Sequence, residues 1–402
     1  MRMSRCVIGL AFVVACPAVS FAQTSPPLPT TVAAIQTGPV SLYPSIELRD
    51  IGIDSNVFNV ADEPREDFTF TVNPRVLAAV HVGAARFVGT SAAGFVFYQQ
   101  YKQEQSVNTV LEGRFDLSAT RLRPYLSVGR IRTRDRAGFE IDARALRLET
   151  SVAAGVDFDL TSITALTAWA RRSDSAYGKG ERFLGVDLSG QLDHISELAA
   201  AGVKLAVTPL TTIIVAAEVQ QDRFTASPLR NADSVRIAPA VEFGTGAAVT
   251  GRASAGYRQF KPLDSRLPQY RGFVASTGVG YSLLGVTHVD IEGNRDVMYS
   301  FEASEPYYLT FGGRIAVSQR VAGPFDLIVL GQRQRLRYQT LGGVSWQGRL
   351  ETTTSVGGGV GVHLGEHLSF TVTYDRTRRQ SSGPVRRDYD RRRMLGSVTY
   401  GL

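Results

Sequence analysis

Cysteine, lysine and long apolar runs are all scarce in this chain of 402 residues. Both cysteines, Cys6 and Cys16, precede residue 23, and lysine occurs only at positions 102, 179, 204 and 261, which leaves 44 − 4 = 40 arginines. Beyond the N-terminal region no run of about 18 apolar residues occurs, the length that a membrane-spanning helix needs. These absences exclude a disulfide scaffold and thiol chemistry from the rest of the chain, and any membrane crossing there would have to use strands.

The N-terminus has the three parts of a secretory signal peptide. Two arginines precede an apolar run at residues 7–19, and a small-x-small cleavage motif ends at Ala22. We therefore expect residues 1–22 to be removed and the mature chain to begin at Gln23. The following segment, residues 23–44, is rich in Pro, Thr and Ser and cannot bury enough surface to fold, so we interpret it as a flexible periplasmic leader.

The net charge is a weaker signal. The formal charge of +7 becomes 7 − 2 = +5 once Arg2 and Arg5 are removed, a mild excess that does not indicate nucleic-acid binding. A competing lipoprotein pattern would make Cys16 an acylated first residue, but Pro17 directly after it argues against that processing.

From residue 45 to the C-terminus the sequence alternates in polarity. In residues 368–375 apolar and aromatic side chains occupy every second position, with Ser, Thr and Asp between them. Because strand side chains point alternately to opposite faces, this pattern predicts strands with one apolar and one polar face. Comparable segments are residues 146–156, 235–243, 273–283 and 307–317. Their opposite faces carry Gly, Ser, Ala, Arg and Glu, which argues against a soluble sandwich with a bulky core and favours an apolar exterior.

The connections between these segments alternate in length. Short turns are expected near residues 82–85, 121–123, 160–162, 208–210, 245–247, 284–286, 322–324 and 365–367. Longer polar loops are expected near residues 55–66, 102–105, 133–141, 175–193, 226–230, 262–268, 300–304, 342–348 and 381–389. Eight turns and nine loops imply 8 + 9 + 1 = 18 strands, with 16 as the competing count because residues 183–188 could be an extra strand or part of a folded loop.

This pattern predicts the fold class. We expect an all-β, closed, antiparallel transmembrane β-barrel over residues 45–402, with short periplasmic turns and longer extracellular loops, in the outer membrane. A barrel of this strand number is too wide to be filled by its own side chains, so its lumen should hold water. The last strand is apolar on one face through Met394, Val398, Tyr400 and Leu402, which resembles the terminal signature that barrel-assembly machinery recognises, although an aromatic residue usually ends it.

Arginines concentrate where strands pass into the longer loops. They occur at positions 333, 335 and 337, at 376, 378 and 379, at 386 and 387, and at 391–393. They could line a channel mouth that attracts acidic sugars, or contact lipopolysaccharide phosphates and loop carboxylates on the outside. Because Arg333, Arg335 and Arg337 share one face of a strand, we interpret them as the best lumen candidates.

A second polar face is expected on the strand that begins near residue 287. It carries His288, Asp290, Glu292 and Asp296, an acidic stripe that arginines such as Arg258 and Arg314 on other strands could balance. Further inward candidates are Arg75, Glu112, Arg114, Asp116, Arg147, Glu149, Arg236, Glu242 and Arg252. Both signs occur, so the ion selectivity stays open.

The sequence offers little for catalysis or cofactor binding. His288 and Asp290 are the nearest approach to a base with its orienting group, but water-filled barrels need charged walls in any case. The five histidines lack metal-ligand spacing, and no Gly-x-Ser-x-Gly motif precedes a helix. We therefore expect neither an enzyme nor a bound cofactor or metal.

Several short phrases resemble a known family. They are GIDSNVF at 52–58, TPLTT at 208–212, QDRF at 221–224, the segment 230–234 and RDVMYS at 295–300. They resemble an outer-membrane β-barrel porin family that is often associated with gene clusters for exopolysaccharide biosynthesis and export. The resemblance runs from about residue 46 to the C-terminus and names no site residue.

The resemblance implies an outer-membrane channel that aids export of an exopolysaccharide. Two alternatives stay open: a non-conducting structural or anchoring barrel of an envelope export complex, using residues 23–43 to contact partners, and a general small-solute porin. The expected partners are outer-membrane lipid and lipopolysaccharide, the barrel-assembly machinery, an acidic polysaccharide and periplasmic export components, and not nucleic acid.

Overall fold

The alternating segments form one ring of antiparallel strands. The computed structural model describes residues 35–244, 248–341, 348–365, 367–383 and 387–401. The ring is built from β2 (Val40–Asp54), β3 (Asp67–Val82), β4 (Ala85–Tyr98), β5 (Ser106–Leu117), β6 (Leu122–Thr133), β7 (Arg147–Asp159), β8 (Thr164–Tyr177), β11 (His194–Thr208), β12 (Thr211–Phe224), β13 (Ala232–Phe243), β14 (Val249–Pro262), β15 (Tyr270–Leu283), β16 (Thr287–Tyr299), β17 (Tyr307–Ala322), β18 (Phe325–Gln339), β19 (Leu350–Leu364), β20 (Leu368–Ser381) and β21 (Tyr389–Gly401).

The ring closes because its first and last strands pair. Each strand hydrogen-bonds its sequence neighbours in the ring, and β2 pairs with β21 through registers such as Ile46 with Tyr400. Closure leaves no sheet edge that lipid would have to satisfy. The described residues thus confirm the expected closed barrel of eighteen long strands, and the competing count of sixteen is wrong.

Several short elements accompany the eighteen long strands. β1 (Ile35–Thr37) pairs with the start of β2, and one long loop carries β9 (Arg182–Phe183), β10 (Val186–Asp187) and the helix α1 (Leu188–Leu192). Two 3₁₀ turns occur at Lys102–Glu104 and Pro228–Arg230. The ambiguous residues 183–188 therefore belong to a folded loop and not to the wall. In the described part of the chain no helix is long and apolar enough to cross a membrane.

Contacts between strands that are not neighbours identify the inner face. Arg258 on β14 donates to Asp296 on β16 at 2.6 Å, and Lys204 on β11 donates to Asp157 on β7 at 2.8 Å, each across an intervening strand. Side chains can span a strand in this way only where they converge on the concave side of the ring. The opposite face of each strand carries exposed apolar side chains, as Phe325, Leu327 and Val329 do on β18. The exterior is therefore apolar and the lumen polar.

The two ends of the barrel have connections of different length, as expected. At one end β3 and β4 are joined by residues 83–84, and β17 and β18 by residues 323–324. Gly83 and Gly323 take positive φ values of +56° and +52°, which tight hairpin turns require and other residues adopt only with strain. Short turns mark the periplasmic end of such barrels and the longer loops mark the extracellular end.

The barrel begins earlier than the sequence predicts. β2 starts at Val40 and its first residues pair with β3, for example Val40 with Val80 and Pro44 with Val76, so the expected boundary at residue 45 is too late. Composition alone did not reveal these residues, because backbone pairing with β3 and the packing of Tyr43 against Leu77, Ala79 and Val88 place them in the barrel. The expected signal peptide at 1–22, residues 23–34, the expected turn at 245–247, residues 342–347, Arg386 and Leu402 lie outside the described residues.

Candidate functional site

Five arginines expected in the lumen lie on the inward face, and each has a carboxylate within ion-pair distance. The shortest pairs are Arg236 with Glu218 at 2.5 Å and Arg258 with Asp296 at 2.6 Å. The others are Arg114 with Asp116 at 2.8 Å, Arg314 with Glu292 at 3.4 Å and Arg147 with Glu149 at 3.7 Å. The lumen wall thus presents both signs of charge at short intervals instead of a field of one sign.

The acidic stripe on β16 is divided among different partners. Glu292 and Asp296 belong to the ion pairs just given, and His288 Nδ1 lies 2.8 Å from Ser282 Oγ. Asp290 is exposed on the inner face, and no partner for it is recorded in the described residues. His288 and Asp290 do not form a base with its orienting carboxylate, because the imidazole bonds a serine hydroxyl instead.

The placement of Arg333, Arg335 and Arg337 corrects the sequence interpretation. All three are exposed and share the face of β18 that carries Phe325, Leu327 and Val329, which is the outside of the barrel. The residues that alternate with them, Gln334, Leu336 and Tyr338, are buried on the inside. Alternation showed that the three arginines share a face, but an apolar periplasmic half and a charged extracellular half of the same outer face made that face look like a lumen.

The periplasmic half of the lumen contains a cavity, which we call the vestibule. Its volume is about 690 Å³. Its charged lining residues are Arg86, Arg114, Asp116, Arg121, Arg123, Asp157, Asp159, Lys204 and Glu242. Arg123 pairs with Asp159 at 2.6 Å, and the two side chains are 48% and 28% exposed, so this ion pair is solvated.

In the extracellular half of the barrel, a loop crosses the lumen and narrows it. Residues 134–146 connect the neighbouring strands β6 and β7, yet they contact the opposite side of the ring. Asp142 pairs with Arg379 of β20 at 2.5 Å, and Glu140 accepts a hydrogen bond from Ser300 Oγ, just after β16, at 2.6 Å. We call residues 134–146 the crossing loop.

Buried ion pairs hold the crossing loop. Arg379 contacts both Asp142 and Glu351, and its side chain is fully buried. Arg387 donates to Glu351 at 2.9 Å and to the backbone carbonyl of Glu140 at 2.5 Å. Arg349 Nε lies 3.0 Å from Glu351 Oε1. We call this set the mouth network: Glu140, Asp142, Arg349, Glu351, Arg379 and Arg387.

An apolar cluster packs beside the mouth network. It joins the crossing loop to the loop that carries α1, and we call it the mouth core: Ile141, Ala145, Phe183, Leu188, Leu192, Phe224 and Phe301. Phe183 and Phe301 meet edge to face at 5.0 Å, and Arg387 lies over the Phe183 ring at 5.1 Å. Apolar burial and charge pairing therefore stabilise the same closed arrangement.

Burial changes the acidity of Glu140. Desolvation raises the pKa of Glu140 to about 7, and the hydrogen bond from Ser300 and the charges of Arg387 and Arg349 offset only part of that rise. Burial also lowers the pKa of Arg136, in the same loop, to about 10. A carboxyl that titrates near neutrality where the crossing loop meets the opposite wall couples this contact to pH.

The sequence interpretation found two of the six residues of the mouth network. Arg379 and Arg387 were among the arginine clusters expected at the rim, but their acidic partners Glu140 and Asp142 lie in a loop without strand periodicity. A usable signal was present, since Phe139 and Ile141 put apolar side chains into an otherwise polar loop, which indicates that the loop packs against something. In the described residues no group of His, Cys, Asp and Glu could hold a metal ion.

The fold and the inward-folded loop define a class, the porin-like outer-membrane barrels. The sequence pattern of the family described as "Putative beta-barrel porin 2" matches residues 29–401, and the chain belongs to that family. No curated protein matches the chain.

Solved barrels share the fold at low sequence identity. The Pseudomonas aeruginosa protein OccK2 (OpdF), in a crystal structure with glucuronate, has a TM-score of 0.50 and 10% identity, over 90% of this chain and 98% of that one. A BenF-like porin from Pseudomonas fluorescens Pf-5 has a TM-score of 0.49 and 10% identity, over 90% and 99%. At this identity the OccK2 likeness shows the fold alone.

Proposed function

We propose that this chain is a diffusion channel for small polar solutes, narrowed at its extracellular mouth by the crossing loop. The observation that carries the proposal is the contrast in the lumen: a 690 Å³ vestibule at one end and a buried, ion-paired loop at the other. Porin-like barrels work by letting solutes diffuse, and an inward loop limits the size of what passes.

The charged side chains that line the lumen favour polar solutes that carry both hydrogen-bond donors and hydrogen-bond acceptors. Arginine and carboxylate side chains alternate along the wall in close pairs, so a hydroxylated solute finds hydrogen-bonding groups of both kinds. OccK2 holds the acidic sugar glucuronate, which makes a small sugar acid a reasonable test solute here. The solute class rests on this chain's own lining.

Export of an exopolysaccharide, expected from the family resemblance, fits this geometry less well. A polymer threading the barrel would need the mouth core and the mouth network to separate, because the crossing loop reaches the opposite wall. Neither the family match nor the barrel fold supports a polymer over a small solute.

The test uses the full mature chain refolded into bilayers and liposomes. We expect stepwise single-channel currents, and liposome swelling rates that fall steeply from a monosaccharide to a hexasaccharide, with glucuronate permeating like the monosaccharide. The variant Arg379→Met should release the crossing loop and flatten that size dependence, whereas Arg123→Met in the vestibule should leave it unchanged. A folded barrel without currents, or one that passes hexasaccharide as fast as monosaccharide, would contradict the proposal.

A further inference from the structure

Arg333, Arg335 and Arg337 form a row of cations on the outside of the barrel. No hydrogen bond or ion pair of their guanidinium groups is recorded with any described residue, and their cross-strand neighbours on the outer face carry no charge. Arg335, for example, is flanked by Phe311 and Thr352. Successive side chains on one face of a strand stand roughly 7 Å apart, so the three guanidinium groups extend from separate, evenly spaced positions along β18.

Neighbouring strands extend this row into a patch. Arg376 and Arg378 share the outer face of β20 with exposed Tyr374, and Arg392 shares the outer face of β21 with exposed Met394. Asp390 is paired with Arg376 and lies on the same face. We call the six arginines the outer patch: Arg333, Arg335, Arg337, Arg376, Arg378 and Arg392.

The height of the outer patch in the membrane limits the kind of molecule that can bind to it. On β18 the periplasmic half of the outer face is apolar at Phe325, Leu327 and Val329, and the arginines follow directly toward the extracellular loops. The apolar half must lie in hydrocarbon and the arginines at the level of the outer-leaflet headgroups. Guanidinium forks bind phosphate oxygens bidentately, which favours a phosphorylated headgroup.

An apolar groove lies directly below the patch. Ile291, Ile315, Gly331 and Val356 form one row across β16–β19, and together with Gly313 they line a shallow groove of about 410 Å³ that Arg333 borders. A Cβ atom built on Gly331 would meet nothing within 4 Å, so the missing side chain leaves open space on the outer surface. Phosphate-binding cations above an apolar slot are complementary to a lipid with a phosphorylated head and an acyl chain.

We propose that the outer patch and this groove bind a phosphorylated glycolipid of the outer leaflet, with the lipid A phosphates of lipopolysaccharide on the arginines and one acyl chain in the groove. The lumen arginines are excluded from this role because they face water and already pair with carboxylates. The site is independent of the solute that the lumen carries.

The test compares two matched pairs of outer arginines. Arg333 and Arg337 stand 333 − 325 = 8 and 337 − 325 = 12 residues above the start of β18. Arg172 stands 172 − 164 = 8 residues above the start of β8, and Arg223 stands 223 − 211 = 12 above the start of β12. Arg172 pairs with Glu197 and Arg223 with Asp233, so this second pair has equal height but compensated charge.

The barrel in non-ionic detergent is titrated with diphosphoryl lipid A, with dephosphorylated lipid A and with inorganic phosphate, and bound lipid is counted by native mass spectrometry. We expect Arg333→Gln with Arg337→Gln to weaken binding of diphosphoryl lipid A roughly 30-fold, from about fivefold per arginine at a membrane surface. Arg172→Gln with Arg223→Gln should weaken it less than threefold. Gly331→Leu should weaken binding of both lipid forms by filling the groove.

Retained heat-modifiability on gels shows that each variant is folded. Equal loss of lipid A from the two arginine pairs, or equal affinity of the parent for both lipid forms, would overturn the proposal. Binding of inorganic phosphate as tight as that of lipid A would also overturn it, because the lipid would then contribute nothing. A Gly331→Leu variant with unchanged lipid affinity would refute the groove.

Discussion

The mouth and the vestibule use the same kinds of side chains in opposite surroundings. In the mouth, Arg379 and Glu351 are 0% and 1% exposed and pack beside an apolar core. In the vestibule, Arg123 and Asp159 are also ion-paired, at 2.6 Å, but keep much of their contact with water. A solvated pair contributes about 0–1 kcal/mol, whereas removing one member of a buried pair costs about 3–5 kcal/mol because it leaves an uncompensated charge. Burial, and not pairing alone, therefore sets the expected cost of breaking an ion pair in the mouth.

The largest expected effect comes from breaking the mouth network. Arg379→Met leaves the buried Asp142 without its cation and removes one of the three arginines around Glu351, so we expect a loss of about 3–5 kcal/mol in the free energy of unfolding together with a higher single-channel conductance. Urea titration in lipid and bilayer recording measure the two effects. Arg123→Met in the vestibule is the control and should cost less than about 1 kcal/mol. Equal losses from both variants would show that burial does not separate the two regions.

The mouth core should be the next most sensitive region. Leu188 is fully buried in α1, so Leu188→Ala should cost about 2–5 kcal/mol. Leu184 belongs to the same loop but is 53% exposed, and Leu184→Ala should stay within about 0.5 kcal/mol. The two variants are compared by urea midpoint and by the lifetime of the closed state in bilayer recordings. A mild effect of Leu188→Ala would mean that the loop does not pack as a core.

Acidity should stabilise the closed arrangement of the mouth. The pKa of Glu140 is about 7 because of burial, above its ordinary value of 4.5. A carboxyl with a raised folded-state pKa contributes stability that is fully present below about pH 4.5 and is lost as the pH rises through about 7. The expected change is assigned to Glu140, which faces Arg349, Arg387 and Glu351.

The corresponding measurement follows the urea midpoint and open probability from pH 4.5 to 7.5. The parent should lose stability and open more often as the pH rises. Glu140→Gln keeps an acceptor for the Ser300 hydroxyl but does not titrate, so both curves should become flat. A parent with no pH dependence in this window would contradict the buried, protonated state of Glu140.

The barrel could be predicted from the sequence, but the closed extracellular mouth could not. Strand alternation and connection length are local, period-two signals, so the eighteen strands followed from residues such as those at 273–283. Alternation also separates the two faces of each strand, but it does not say which face is inside when both carry charge, as on β18. The partnership of Asp142 with Arg379 joins residues 237 positions apart and leaves no local pattern. Only the closed ring brings them together.

The smallest expected effect concerns the vestibule itself. Asp159→Asn removes one solvated charge beside Arg123, so the barrel should lose no more than about 1 kcal/mol of stability. The net charge of the vestibule would become more positive by one unit, and the reversal potential in a salt gradient should shift modestly toward anion selectivity. Screening lengthens from about 10 Å at 0.1 M salt to about 30 Å at 0.01 M, so the shift should be larger in dilute salt. The corresponding change from carboxylate to amide in the mouth, Glu351→Gln, should instead affect stability more than selectivity. The opposite ranking of the two effects in either variant would mean that the narrow, selective part of the lumen lies elsewhere.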